Sequence, residues 1–279
     1  TGDAFRMAAA HTDFPGLRIK PSPEVKKAGY RQLNVEIYGG AILNTWLDRP
    51  LSASGRVALR SDDVFHPQMR LVDFKKPFLT IPNLAIHMNR EVNKGVELNR
   101  QKDMLPVFGL EASEEFLTRL AERLQVKKED ILEYELGLYN TDTGDYLGLS
   151  EEFISSPRLD NLTSVQAITT AMIEGGRERG INVAAYFDHE EIGSRTKQGA
   201  LSSVTDRVLE KLYAALGFGR ADYLNAIMGG FLISMDVAHA MHPNHTEKCD
   251  IKNQIFLGDG VAIKMAASQS YSTDASCIS

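Results

Sequence analysis

Ile181-Asn182-Val183-Ala184-Ala185-Tyr186-Phe187-Asp188-His189-Glu190-Glu191-Ile192-Gly193-Ser194 runs from a mostly apolar stretch straight into adjacent glutamates and a Gly-Ser turn. A short apolar run bounded by turn residues reads as a buried strand, Ile181 to Phe187. The glutamates that follow it are costly neighbours, because like charges repel unless a cation or a shared proton relieves them. A hydrolytic metal site uses such a pair. One carboxylate binds the metal and the next handles the proton of the attacking water. The competing role is a solvated pair on a surface loop, the ordinary fate of charged residues. The flanking sequence decides between them.

Outward from this strand, apolar residues at Leu162, Val165, Ile168, Ala171 and Met172 predict a helix over Asn161 to Glu174. A second helix is expected over Val204 to Leu216, a strand over Phe231 to Met235, and a small-residue strand over Ala4 to Ala10. Strand and helix alternating at this spacing predict an α/β fold, a mostly parallel sheet flanked by helices. Between the first strand and the rest the texture changes. From Leu17 to about Val107, short runs such as Val35-Glu36-Ile37-Tyr38, Arg56-Val57-Ala58-Leu59 and Phe78-Leu79-Thr80-Ile81 are separated by Gly, Pro, Asp and Ser, the signature of a β-rich unit. One helix is expected to follow this stretch, at about Ser113 to Leu124. The chain is therefore read as an α/β domain in two parts, 1–18 and 148–279, with a β-rich domain, 19–147, inserted between them. Strand edges in the insertion fit a role in assembly, since such edges are usually paired or covered.

Composition narrows the class. Over 279 residues, 43% are hydrophobic and 24% charged, the balance of a globular protein with a real core. A formal net charge of −6 argues against a nucleic-acid partner, which wants clustered Lys and Arg. Cys249 and Cys277 make neither a disulfide framework nor a thiolate zinc site, and so low a count suits a reducing, cytoplasmic setting. No run approaches the ~20 apolar residues of a membrane span, so no membrane partner is expected. Thr1 and the polar stretch ending at Ser279 suggest a segment of a longer polypeptide.

Three further clusters stand where an apolar run meets a turn or a helix start: His11-Thr12-Asp13, Arg158-Leu159-Asp160-Asn161 and Ser234-Met235-Asp236. In open α/β sheets, sites form outside the carboxyl ends of strands. Imidazole plus carboxylates without thiolates is ligand chemistry for zinc, manganese or cobalt. An Asp between separate ligand sets can bridge two metals. An Asp two residues after a ligand His can hold the second imidazole nitrogen, the role read for Asp13. A helix N-cap is the competing role of Asp160 and a hydrogen-bonded structural imidazole that of His11. Taken jointly with Glu190 and Glu191, the metal reading is the stronger.

With these clusters in place the chain resembles the aspartyl aminopeptidase family of co-catalytic zinc metallopeptidases. The resemblance rests on AHTDFPGLRIKP, YGGAILNTWLDRPLSASGRV, IPNLAIHMNREVN, SPRLDNLTSVQA, FDHEEIGSRTKQGA and SMDVAHAMHPN, in family order along nearly the whole chain. It implies a zinc-exopeptidase-like catalytic domain with two Zn2+ per subunit, Mn2+ or Co2+ being possible substitutes. By resemblance His11 and Asp236 bind one zinc, Glu191 binds the other, Asp160 bridges them and Glu190 is the general base. It also implies peptide substrates with an N-terminal Asp or Glu, whose carboxylate Lys264 would balance. His239 and His242 would line the pocket, and His87 would reach a neighbouring subunit's site in a dimer-based dodecamer. A solvated Lys264, a structural His87 and turn chemistry at His242-Pro243 are the competing readings. The family's second zinc has a further His ligand in a C-terminal stretch that this sequence does not contain. A related aminopeptidase of broader specificity and a catalytically silent scaffold or cargo protein are the alternatives.

Overall fold

The computed structural model describes residues 5–267. Its strands are β1 (Phe5–His11), β2 (Gly16–Lys27), β3 (Tyr30–Tyr38), β4 (Leu51–Leu59), β5 (Gln68–Asp73), β6 (Val107–Leu110), β7 (Ile131–Asn140), β8 (Asp145–Leu147), β9 (Phe153–Ser155), β10 (Ile181–Phe187) and β11 (Phe231–Ser234). The α-helices are α1 (Phe116–Leu124), α2 (Leu159–Glu174), α3 (Val204–Ala215) and α4 (Arg220–Met228). They form two compact units. One comprises Thr1–His11, Asp160–Tyr186 and Arg220–Ser279, the other Thr12–Leu159 and Phe187–Gly219.

In the first unit the strand order is β10-β1-β11. β1 and β11 pair in parallel from Arg6↔Phe231 to Ala9↔Ser234. Parallel pairing puts the carboxyl ends of both strands at the same edge of the sheet. The ladder continues past β11, where the Met235 N–H donates to Ala9 O at 2.8 Å. Phe5 is buried on this sheet and meets the buried ring of Tyr223 from α4 edge to face, centroids 6.4 Å apart.

The second unit is built on a six-stranded sheet of order β5-β4-β7-β2-β3-β6, antiparallel at every pair. β2 and β3 form a two-residue hairpin with Lys27 opposite Tyr30. Ala28 and Gly29 both carry positive φ there, 52° and 83°, as a type I′ turn demands. Alternation along the strands sends Leu17, Ile19, Leu33, Val35, Leu51, Val57, Leu136 and Leu138 into one core. Each such fully buried aliphatic side chain is worth about 1.5–3 kcal/mol over exposure. α1 closes this core with Phe116, Leu120 and Leu124 on one face, and ends at Gln125 in the left-handed region. Charge is buried too. Arg31 forms a 2.6 Å ion pair with Glu24 and donates from Nε to Glu111 O, while Glu24 also accepts the Phe116 N–H.

The α/β class, β10 and the helices at Asn161 and Val204 match expectation. Other features depart from it. Phe78 to Ile81 forms isolated bridges at Leu79, Thr80 and Ile81 rather than a strand, because each residue pairs with a different segment. β7, a ten-residue strand lying between β4 and β2, was not anticipated, nor was α4. α1 begins at Phe116, three residues after the expected start, where Glu24 takes the first N–H.

Candidate metal and carboxylate sites

The parallel register of the first unit delivers a cluster. His11 ends β1, and Asp236 follows β11 by two residues. The His11 imidazole is 5% exposed, and its Nε2 lies 3.3 Å from Asp160 Oδ1 and 3.5 Å from Asp236 Oδ1. Asp160 and Asn161 depart from helical geometry at the start of α2, and the peptide bond joining them is cis. Asn161 is buried and donates from Nδ2 to Met235 O at 2.9 Å. That bond ties the start of α2 to the end of β11, and so holds Asp160 beside Asp236.

The donor set fits a divalent metal. Tetrahedral ligands at about 2.0–2.1 Å from zinc stand about 3.3–3.4 Å from one another, close to the separations seen around His11 Nε2. Burial, and next the like charge of Asp236, raise the Asp160 carboxyl above its ordinary range. A cation among these groups reverses the sign of that interaction.

The second unit holds the glutamates. Thr12 N–H donates to Phe187 O at 2.9 Å, which sets Asp13 beside the turn that follows β10. His189 takes the left-handed conformation, φ 61°, and Glu190–Ile192 forms one 3-10 turn closed by Gly193. Asp13 Oδ1 accepts the Glu190 N–H and Oδ2 the Glu191 N–H, both at 3.1 Å. The Tyr38 hydroxyl donates to Asp13 Oδ2 at 2.6 Å. Gly39, at φ 71°, passes so close to Glu191 that a Cβ there would stand 3.0 Å from the Glu191 Cβ.

Behind this turn the Arg18 guanidinium lies over the Tyr38 ring, 4.2 Å from its centroid, and its Nη2 approaches His189 Nε2 at 3.1 Å. A guanidinium cannot accept, so Nε2 accepts and the His189 Nδ1–H is left to donate to Thr196 Oγ1 at 2.7 Å.

The structure thus groups His11, Asp160 and Asp236 in one unit and Asp13, Glu190 and Glu191 in the other. His87 is exposed on a turn at Ala85 to Met88 of the second unit. His239, His242 and Lys264 are exposed in a part of the first unit with neither α-helix nor strand. The His242 Nδ1 accepts the Asn244 N–H at 3.1 Å, so turn chemistry is present at that residue. Sequence reasoning missed Tyr38, Arg18, His189 and Asn161. The one available signal was position: Tyr38 precedes Gly39-Gly40 at a strand end, and His189 and Asn161 each adjoin a residue already singled out.

The parallel strands β1 and β11 lead to an imidazole and a carboxylate, donor types that suit a divalent metal. The family model described as aminopeptidase I zinc metalloprotease (M18) matches residues 1–279, and the chain belongs to that family. A probable M18 family aminopeptidase 2 of Clostridium novyi is 46% identical over 278 residues, covering 98% of this chain and 64% of that protein. The chain spans just under two thirds of the length of the curated relatives it matches. Among solved structures, the cryo-EM structure of the Ape4 and Nbr1 complex matches with a TM-score of 0.89 at 34% identity, over 99% of this chain and 57% of that one. The mApe1 structure of Chaetomium thermophilum matches with a TM-score of 0.77 at 29% identity, over 91% and 62%. Among the described residues, no helix is long and apolar enough to cross a membrane.

Proposed function

We propose that this chain carries the catalytic centre of a zinc aminopeptidase that removes N-terminal Asp or Glu from peptides. The observation that carries the reading is the buried His11 imidazole faced by Asp160 and Asp236, in a chain of the M18 zinc metalloprotease family. His11, Asp160, Asp236 and Glu191 are the proposed ligands of two Zn2+ per subunit, with Asp160 bridging.

When bound, zinc supplies a Lewis acid for the scissile carbonyl and for the attacking water. Glu190 takes the proton of that water and returns it to the departing amine. Asp13 holds the main chain of the glutamate turn and, as its spacing from His11 suggests, orients that imidazole. Lys264 balances the acidic side chain of the substrate, and His239 and His242 line its pocket.

Residues 1–18 and 148–279 form the catalytic domain in this reading and 19–147 the dimerisation domain. Leu84, Ile86 and Met88, 50%, 48% and 70% exposed around His87, support a homo-oligomer in which that segment is covered. We take the oligomer to be a dimer-based dodecamer in the cytoplasm, with His87 serving a neighbour's site.

Zinc content and rates on Asp-, Glu- and Leu-terminated chromogenic peptides, measured on the full-length protein, test the proposal. Two zincs per chain and at least roughly tenfold preference for acidic termini, ~1.4 kcal/mol in the barrier, support it. Equal rates on Leu favour a broader aminopeptidase, and absence of both zinc and turnover favours a scaffold.

A further inference from the structure

We propose that Tyr38 is a positioning residue for the Glu190–Glu191 pair, acting through Asp13; this rests on the aminopeptidase reading above. Tyr38 ends β3 and is 8% exposed. Its hydroxyl donates to the same Asp13 oxygen that accepts the Glu191 N–H, while the other oxygen accepts the Glu190 N–H. One carboxylate therefore collects three donors from two distant parts of the chain. Bonds to an ionised acceptor are shorter and stronger than neutral ones, and three of them fix the rotation of the carboxylate. Because the hold is taken on peptide N–H groups, it sets where both acidic side chains leave the backbone without using their own oxygens.

The ring of Tyr38 is itself braced. The Arg18 guanidinium stacks on it at 4.2 Å, and the His189 ring meets it at 6.1 Å with planes 62° apart. Arg18 and His189 are joined at 3.1 Å, so the brace closes on the residue that precedes Glu190. The next residue after Tyr38, Gly39, lies against Glu191. Burial, and then the hydrogen bond and charge of Asp13, push the hydroxyl far above the ordinary phenol range, so it remains a donor.

Packing alone would be served equally by phenylalanine; only the hydroxyl distinguishes the positioning role. The test is Tyr38→Phe in the full-length protein, read in two ways. In metal-free protein, amide hydrogen exchange at Glu190 and Glu191 is expected to accelerate by about tenfold, the equivalent of one charged hydrogen bond lost at the lower end of its range. In zinc-loaded protein, kcat on an Asp-terminated peptide is expected to fall by about tenfold with KM within about twofold, since the defect is in orientation rather than in binding. Arg18→Met should shift both readouts in the same direction by less. Unchanged exchange overturns the proposal, as does a global loss of stability that accounts for the change in kcat. If the wild-type protein hydrolyses no acidic peptide, the aminopeptidase reading fails, and the exchange measurement still decides whether Tyr38 holds the turn.

Discussion

His11 Nε2 stands 3.3 Å from Asp160 Oδ1 at the point where β1 ends and α2 begins. Asp236 approaches the same nitrogen at 3.5 Å. One imidazole nitrogen can donate at most one proton, so it cannot bond both carboxylates fully. A cation can satisfy all three groups.

Asp160→Asn separates metal affinity from intrinsic stability. Zinc affinity should fall by more than about 10–100-fold, the cost of removing even a group that only supports a ligand. The metal-free protein should behave oppositely. A carboxyl whose pKa is raised on folding binds its proton more tightly in the folded state. Stability therefore falls as pH rises from 3.8 through the raised value, and stays lower above it. Asn removes that loss. Thermal unfolding at pH 7 should show the variant at or above wild type without zinc and below it with zinc.

Gly39→Ala should damage the glutamate turn. A non-glycine residue at φ 71° costs about 1–2 kcal/mol, and the new Cβ would stand 3.2 Å from Glu191 O as well as 3.0 Å from its Cβ. The denaturation midpoint should drop accordingly, and kcat should fall more than stability alone explains. A variant with wild-type kcat and midpoint would show that the contact is not felt.

Glu24→Ala tests the β-rich core. It strands Arg31, 8% exposed, without its 2.6 Å partner and frees the Phe116 N–H that begins α1. Breaking a buried pair in this way costs about 3–5 kcal/mol, whereas replacing both partners by apolar residues is often neutral. Denaturant unfolding of Glu24→Ala and of the double variant Glu24→Leu/Arg31→Met should therefore differ, the single change being the worse.

What was readable in the sequence follows from where the physics is local. β10 was plain because a mostly apolar run stops at a turn. His11, Asp160 and Asp236 stood out as candidates because each lies where an apolar run meets a turn or a helix start, and the structure brings the three side chains together. α4 escaped because only Tyr223 and Ala226 are buried along it, too few to mark a helical face. β7 went unread although Tyr134, Leu136 and Leu138 alternate with Glu133, Glu135 and Gly137; its central place in the sheet comes from long-range pairing with β4 from Leu51↔Asn140 onward, which no local pattern records. Tyr38 was invisible for the same reason. A tyrosine at a strand end is ordinary, and its partner Asp13 lies 25 residues away. No local pattern records a hydrogen bond of that reach.

The central claim is that Glu190 moves the proton while its neighbours hold metal, and Glu190→Gln in the full-length protein tests it most directly. Glutamine keeps the shape and the peptide N–H that Asp13 accepts, but cannot act as a base. Zinc content should stay at the wild-type value, and kcat on an Asp-terminated peptide should fall by about 10²–10⁴-fold, the usual contribution of a positioned general base. Turnover close to wild type with zinc still bound would contradict the account.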